Sequence, residues 1–170
     1  MIYDLPHIFV ITLFLGLLAL AAINDATEFK IPNRICLAIA ALYPVHVLAS
    51  PVPVDWLGGL AVGGIALAFG IALFALRYMG GGDIKLITVT ALWAGPAEIL
   101  DFVVFSALVG GVMSLIMLSP MRYSLAMIFD KSDDKTSRDA LLGSVLPYGV
   151  AIALGGFVVG ARLLGNGRII

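Results

Sequence analysis

The chain has 170 residues, of which 61% are hydrophobic and only 12% are charged, and its mean hydropathy is +1.08. Soluble domains are nearer half apolar and a quarter charged, so this composition predicts a chain that lies mostly in lipid. The net charge of −1 gives no reason to expect a nucleic acid partner, and the single cysteine, Cys36, excludes an internal disulfide or a paired-cysteine metal site. We expect no metal and no cofactor.

Six apolar stretches follow one another along the chain. A bilayer core requires roughly 20 apolar residues as a helix, with about 17 to 25 as the usual range. The predicted spans lie at about 7–23, 35–49, 56–78, 84–94, 99–118 and 141–164. The fourth is short and stops at Gly95-Pro96, so we expect the preceding loop to extend it or the segment to be partly re-entrant. The sequence thus predicts an all-α polytopic membrane bundle of about six helices, with residues 1–170 as one domain.

The basic residues predict how this bundle is oriented. Eight of the ten lie between spans one and two, three and four, or five and six: Lys30, Arg34, Arg77, Lys85, Arg122, Lys131, Lys135 and Arg138. Arg162 and Arg168 fall on the other side. The positive-inside rule therefore predicts a multi-pass inner (plasma) membrane protein with both termini outside and the three basic loops in the cytoplasm. We expect Trp56, Tyr78 and Trp93, near span ends, to form an aromatic belt. We expect His7 and His46 to be interface or packing residues rather than ligands.

Two of the eleven acids are candidates for chemistry. Asp25 ends the first span and Asp83 begins the fourth, so both lie at the predicted cytoplasmic rim. A carboxyl pair can share one proton, so that the ionised member takes a proton from water while the neutral member donates to a substrate carbonyl. That pairing predicts peptide hydrolysis without a metal. The alternative is that Asp83 only caps a helix and that Asp25 is only interfacial. Acids in the outer loops, such as Asp55, Glu98 and Asp101, are expected to be solvated surface charges.

The segment MGGGDIKL, residues 79–86, places three consecutive glycines before Asp83. Such a backbone is expected to bend sharply or to be approached closely by another segment. Helix dipoles suggest different roles for the two acids, because Asp25 is near a helix C-terminus and Asp83 is at a helix N-terminus. On this hypothesis Asp25 holds the proton and Asp83 acts as the base.

Three motifs, in order, resemble those of type IV prepilin peptidases, and the resemblance covers most of the chain. Asp25 and the following Ile31-Pro32-Asn33 are similar to the D-x-x-x-x-x-I-P-N segment of that family. The stretch GGGDIKL, residues 80–86, resembles the GxGDxKL motif, and LPYG, residues 146–149, resembles the P-Y/F-G element of the last span. The resemblance implies a GxGD-type membrane aspartic endopeptidase that removes the basic leader from prepilin-like proteins at the cytoplasmic face.

The resemblance also implies roles for individual residues. Asp25 and Asp83 correspond to the catalytic aspartates. The remaining motif positions are expected to be structural supports: Gly80, Gly82, Lys85, Pro32, Asn33, Pro147 and Gly149. Because the leader is basic, Glu28, Asp133 and Asp134 are candidates for binding it. The implied partners are a prepilin-like substrate, the lipid bilayer, and pilus-assembly or secretion components.

The chain departs from the long bacterial members in one respect. Those proteins carry a cytoplasmic insertion with paired CxxC motifs between spans one and two, associated with N-methylation of the product. Here that loop is about ten residues and Cys36 is the only cysteine, so neither zinc nor methyl transfer is expected. The short form resembles the peptidases of tight-adherence (Flp) pilus systems more than archaeal preflagellin peptidases, which stay an alternative.

Two further interpretations come from other functional classes. A small proton-coupled transporter or channel could use Asp25 and Asp83 as relay acids, since intramembrane acids often serve that role. A structural subunit of a secretion machine would use no chemistry at all. Neither explains why the two acids stand in the I-P-N and GxGD contexts.

Overall fold

The computed structural model describes residues 5–118 and 147–166. Within these ranges the chain forms five helices and no strand: α1 (Leu5–Glu28), α2 (Asn33–Ala49), α3 (Trp56–Ala75), α4 (Gly81–Leu118) and α5 (Tyr148–Asn166). Four of them, α1, α3, α4 and α5, are long and apolar enough to cross a membrane, whereas α2 is apolar but has 17 residues. This confirms the all-α membrane bundle.

The described part of the chain has five helices where six were expected, because the expected fourth and fifth spans form one helical segment, α4. That segment is bent at Gly95, whose backbone angles (φ 55°, ψ −169°) are not helical. Pro96 follows, and proline is tolerated at the first position of a helix because no N–H is required there. The chain therefore passes from a first arm, 81–94, into a second arm, 96–118, without a loop. The arms lie side by side, since Ile87 of the first shares a cavity with Phe102 of the second.

Several helix ends also differ from the expected ones. Helix α1 continues to Glu28, so Asp25 lies in its last turn, and Phe29 ends it with a φ of 51°. Helix α3 ends at Ala75, just before Arg77 with a φ of 60°. Residues 141–146 of the expected sixth span lie outside the described part of the chain.

Helix α4 lies at the centre of the bundle. It packs against α2, α3 and α5, while α1 packs against α2 and α5. Small residues allow these contacts: a Cβ atom on Gly63 would lie 3.2 Å from Leu92, and one on Gly156 would lie 2.6 Å from Leu18. Glycines at such positions let helix backbones approach closely.

Five helix termini lie at the same end of the bundle, which we call the cleft end. There α1 and α3 end, and α2, α4 and α5 begin, as shown by a hydrogen bond between Gly149 and Asp25 and another between Lys85 and Asn33. At the opposite end, which we call the bend end, Arg162 of α5 forms ion pairs with the second arm of α4. Asp25 and Asp83 therefore lie at the same end of the bundle.

The aromatic core lies toward the bend end. Trp93 is 3% exposed, stacks on Phe14 with ring centroids 4.2 Å apart, and donates its indole N–H to the Ile39 carbonyl. The expectation that Trp93 belongs to an interfacial belt is therefore wrong, because its ring packs inward between α1 and α2. His7 and His46 are buried and stacked on each other, so of the two roles expected for them, interface or packing, packing is the one observed.

Candidate active site

A cleft of about 1270 Å³ opens at the cleft end of the bundle. Its walls come from the last turn of α1, the connection 29–32, the loop 76–80 and the first turn of α4. Asp25, Glu28 and Asp83 all line it, together with the exposed side chains of Lys30 and Arg77. The two predicted catalytic acids thus share one cleft although they come from helices that are distant in sequence.

Asp25 is held by the N-terminus of α5. Asp25 is only 5% exposed, and its Oδ2 atom accepts the backbone N–H of Gly149 at 2.6 Å. The first N–H groups of a helix have no partner within the helix and carry the positive end of its dipole. A carboxylate placed there gains both a hydrogen bond and a favourable field.

Gly149 has no room for a side chain at this contact. A Cβ atom on it would lie 2.7 Å from Oδ2 of Asp25 and 2.9 Å from Cβ of Asp25. Real Cβ atoms do not approach other heavy atoms this closely, so any larger residue must displace Asp25 or α5. This gives the glycine of the P-Y-G element a physical role.

Asp83 lies in the first turn of α4, and its carboxyl accepts the backbone N–H of Gly80. This contact from the third helical residue back to the N-cap is half of a capping box. The carboxyl is partly buried and interacts electrostatically with that of Asp25. A Cβ atom on Gly80 would lie 3.1 Å from Oδ2 of Asp83, so the neighbouring glycine leaves room for the carboxyl.

The start of α2 is fastened to the start of α4. The side chain of Ile31 is buried and packs on Gly82, where a Cβ atom would lie 3.3 Å from the Cβ of Ile31. Lys85 donates from Nζ to Oδ1 of Asn33 at 2.8 Å. The I-P-N and GxGDxKL segments, which are separate in sequence, therefore form one joint beside Asp83.

Most of the residues expected at the site are brought together. Those that line the cleft are Asp25, Glu28, Pro32, Asn33, Gly80, Gly82 and Asp83. Gly149 contacts Asp25 from behind the cleft, and the buried Pro147 lies two residues before Gly149. Lys85 faces away from the cleft toward α2. Asp133 and Asp134 lie outside the described residues.

The structure bears on two expectations about this region. Of the sharp bend and the close approach expected for the glycines before Asp83, close approach is observed, and none of these glycines has a positive φ. Gly81 and Gly82 instead begin α4, and it is close approach that requires Gly82. The assignment of Asp25 as proton holder and Asp83 as base stays a hypothesis, and its dipole argument is weaker than expected because Asp25 lies at the N-terminus of α5 as well as in the last turn of α1.

The cleft contains residues that sequence reasoning did not identify. Its apolar wall is formed by Phe29, Phe74, Tyr78, Met79 and Tyr148. Phe29 and Tyr148 stand inside the D-x-x-x-x-x-I-P-N and P-Y-G elements, so the motif spacing could have indicated them. The other three belong to the end of α3 and the following loop, and their sequence positions did not assign them to the site; Tyr78 was expected in the aromatic belt instead. No group of three or more His, Cys, Asp or Glu side chains in the described ranges is arranged to hold a metal ion.

Comparisons with known proteins agree with this geometry. The sequence profile of the Type IV leader peptidase family matches residues 12–115, which include both acids of the cleft. The prepilin leader peptidase/N-methyltransferase of Bacillus subtilis (strain 168) is 30% identical over 108 residues, or 62% of this chain and 43% of that protein. The chain thus spans less than half the length of this curated relative. No solved structure gives a significant match. On the profile match across more than half of its length, the chain belongs to the type IV leader peptidase family.

Proposed function

We propose that this chain is a membrane aspartic endopeptidase that cleaves the leader from prepilin-like proteins, with Asp25 and Asp83 as its catalytic pair. The observation that carries the proposal is the meeting of these two carboxyls in one open cleft, next to the motif residues of a peptidase family. Each carboxyl accepts a backbone N–H, which orients it without a further side chain.

The chemistry requires one ionised and one protonated carboxyl. The ionised carboxyl removes a proton from a water molecule, whose oxygen attacks the peptide carbonyl carbon. The protonated carboxyl donates its proton to the carbonyl oxygen, which gives a neutral tetrahedral diol. One diol hydroxyl then returns its proton, the amide nitrogen takes the proton held by the former base, and the C–N bond breaks. One water molecule is consumed, and the pair returns to its starting protonation state.

The leader of the proposed substrate is basic, and Glu28 is the acid of the cleft that the catalytic step leaves unused. Its side chain is exposed one turn beyond Asp25 at the end of α1. We propose that Glu28 contacts a positive charge of the leader.

The cleft end is proposed to face the cytoplasm. Four basic residues of the described ranges lie there, Lys30, Arg34, Arg77 and Lys85, whereas Arg162 lies at the bend end. This distribution favours the cytoplasmic side for the cleft by the positive-inside rule. The proposed location is the inner membrane.

We further propose an Flp-type prepilin as the substrate. The support is the short connection of residues 29–32 between α1 and α2, which leaves no room for the insertion of the long peptidases. Cys36, the one cysteine of the chain, lies within α2 and is buried.

The proposal is tested by incubating detergent-solubilised protein with an Flp-type prepilin and sequencing the product. A single cut that releases the basic leader is expected. The double variant Asp25→Asn/Asp83→Asn is the negative control and should not cleave. The matched control is Asp55→Asn, because Asp55 caps α3 at the bend end by accepting the Gly58 N–H at 2.9 Å. Asparagine is an equally good N-cap, so this variant should cleave normally. Absence of cleavage by the folded wild-type protein, or cleavage by the double variant, contradicts the proposal.

A further inference from the structure

A second recess lies on the outside of the bundle, away from the cleft. Helices α2 and α3 both pack on the first arm of α4 but make little contact with each other. Between them remains a recess of about 370 Å³, which we call the furrow. Six of the residues that line the furrow are Asn33, Leu37, Ala40, Leu67, Lys85 and Val89.

The furrow changes from polar to apolar along its length. Asn33 and Lys85 stand at the cleft end, where α2 and α4 begin. Leu37 and Ala40 follow on α2, and seven residues of helix extend about 10 Å. An amphipathic ligand with its polar group at the membrane surface fits this order.

Lys85 is a cation without a counter-charge. Its Nζ atom donates to Oδ1 of Asn33 at 2.8 Å, and no carboxylate in the described ranges pairs with it. An ammonium group has three donors, and one of them is used within the described ranges. The mouth of the furrow therefore offers a positive charge and two donors that no described residue accepts.

The start of α2 adds to this positive potential. Its N-cap is Pro32, which provides no side-chain hydrogen bond to the first turn. The starts of α3, α4 and α5 each have a carboxyl beside them, from Asp55, Asp83 and Asp25 respectively. Exposed N–H groups of a helix start attract anions, especially beside a lysine.

A hydroxyl group at the furrow also lacks a partner. Thr88 lines the furrow, and its buried Oγ1 atom has no hydrogen-bond partner among the residues that the structure describes. The hydroxyl of Thr90, two positions further along α4, donates instead to the Leu86 carbonyl at 2.8 Å.

We propose that the furrow binds one anionic phospholipid. Its phosphate pairs with Lys85 and the first turn of α2, and an acyl chain lies along Leu37, Ala40, Leu67 and Val89. A single lysine near the surface contributes about fivefold to the preference for an anionic over a zwitterionic lipid. This binding does not depend on the proposed peptidase activity.

The test is to count lipids retained on the purified full chain by native mass spectrometry. Protein in neutral detergent is incubated with phosphatidylglycerol or phosphatidylcholine at matched chain length. One phosphatidylglycerol is expected to be retained, with about fivefold preference. Lys85→Gln should lower its retention to that of phosphatidylcholine, and Ala40→Phe should block the furrow against both lipids. Lys30→Gln is the matched control, because Lys30 lies at the same end but lines the cleft.

Unchanged retention of phosphatidylglycerol by folded Lys85→Gln or by folded Ala40→Phe overturns the proposal. Complete displacement by excess inorganic phosphate also overturns it, because the site would then bind only a free anion. Circular dichroism and a thermal melt establish that each variant is folded before its lipids are counted.

Discussion

Gly149 is the glycine whose missing side chain leaves room for the Asp25 carboxylate. Replacing it by alanine puts a Cβ atom 2.7 Å from the Asp25 carboxylate, so the carboxylate or the start of α5 must move. We expect Gly149→Ala to lower kcat roughly 100-fold or more, because displacement of a catalytic group by about 1 Å has an effect of that order. Steady-state cleavage of a prepilin peptide measures this.

Gly165 provides the control for that substitution. It lies near the other end of α5, and nothing comes within 4 Å of a Cβ atom placed on it. Gly165→Ala should cleave at the wild-type rate. Equal activity of the two alanine variants would show that the contact between Gly149 and Asp25 has no part in catalysis.

Glu28 should affect substrate binding rather than the chemical step. An exposed ion pair contributes about 0–1 kcal/mol, so Glu28→Gln should raise KM up to about fivefold and leave kcat unchanged. The effect should weaken in high salt. Kinetics at two ionic strengths, with a substrate whose leader lysines are replaced by glutamine as the control, measure it. A fall in kcat without a change in KM would contradict leader binding.

Three residues show which contacts a sequence does and does not reveal. Glu98 was expected to be solvated, yet it is 8% exposed and pairs with Arg162. Trp93 lies in the core, and in both cases the partner is distant and depends on how helices pack, which local spacing does not encode. Asp55 differs, because it caps α3 through the Gly58 N–H three residues away, a contact that local spacing does encode. The motif acids were predictable because their sequence contexts are specific.

At the scale of helices, a group of charges fastens α5 to α4 at the bend end. Arg162 lies 2.5 Å from Asp101 and 3.5 Å from Glu98, whose side chain is only 10% exposed. Arg162→Met leaves Glu98 buried without its cation. Because Arg162 is half exposed, we expect a loss of about 1–3 kcal/mol in the free energy of unfolding, or several degrees in Tm.

The double variant Glu98→Gln/Arg162→Met should recover part of that loss, since it removes the buried charge as well. Cleavage should persist in both variants because the cleft lies at the opposite end of the bundle. An unchanged Tm for Arg162→Met in a thermal melt would contradict the fastening role.

At the scale of the whole molecule, the distribution of charge predicts the orientation of the bundle. Cys36→Ser removes the one native thiol and provides a background for accessibility measurements. In intact cells, a membrane-impermeant maleimide should label Val52→Cys, which lies in the connection between α2 and α3 at the bend end. It should leave Thr27→Cys at the cleft end unlabelled until the cells are lysed. The reverse pattern would contradict a cytoplasmic cleft.

The apolar stretches predicted the membrane bundle. Together with the basic residues, they also predicted that Asp25 and Asp83 lie at the same end of it. The direct connection between the two arms of α4 could not be predicted in the same way. Gly95-Pro96 marks the end of the first arm, but a proline at the start of a helical arm lets the chain continue through the bend without a loop. The role of α5 at Asp25 was also hidden, because it depends on a contact between Gly149 and a residue at the far end of the chain.

The central claim is that Asp25 and Asp83 act as one catalytic unit. The most direct measurement is the prepilin cleavage rate of Asp25→Asn, Asp83→Asn and the double variant, each shown to be folded. Groups that act together are not additive, so either single substitution should reduce cleavage to the same background as the double. A single variant that cleaves at the wild-type rate, or losses that multiply in the double variant, would contradict the claim.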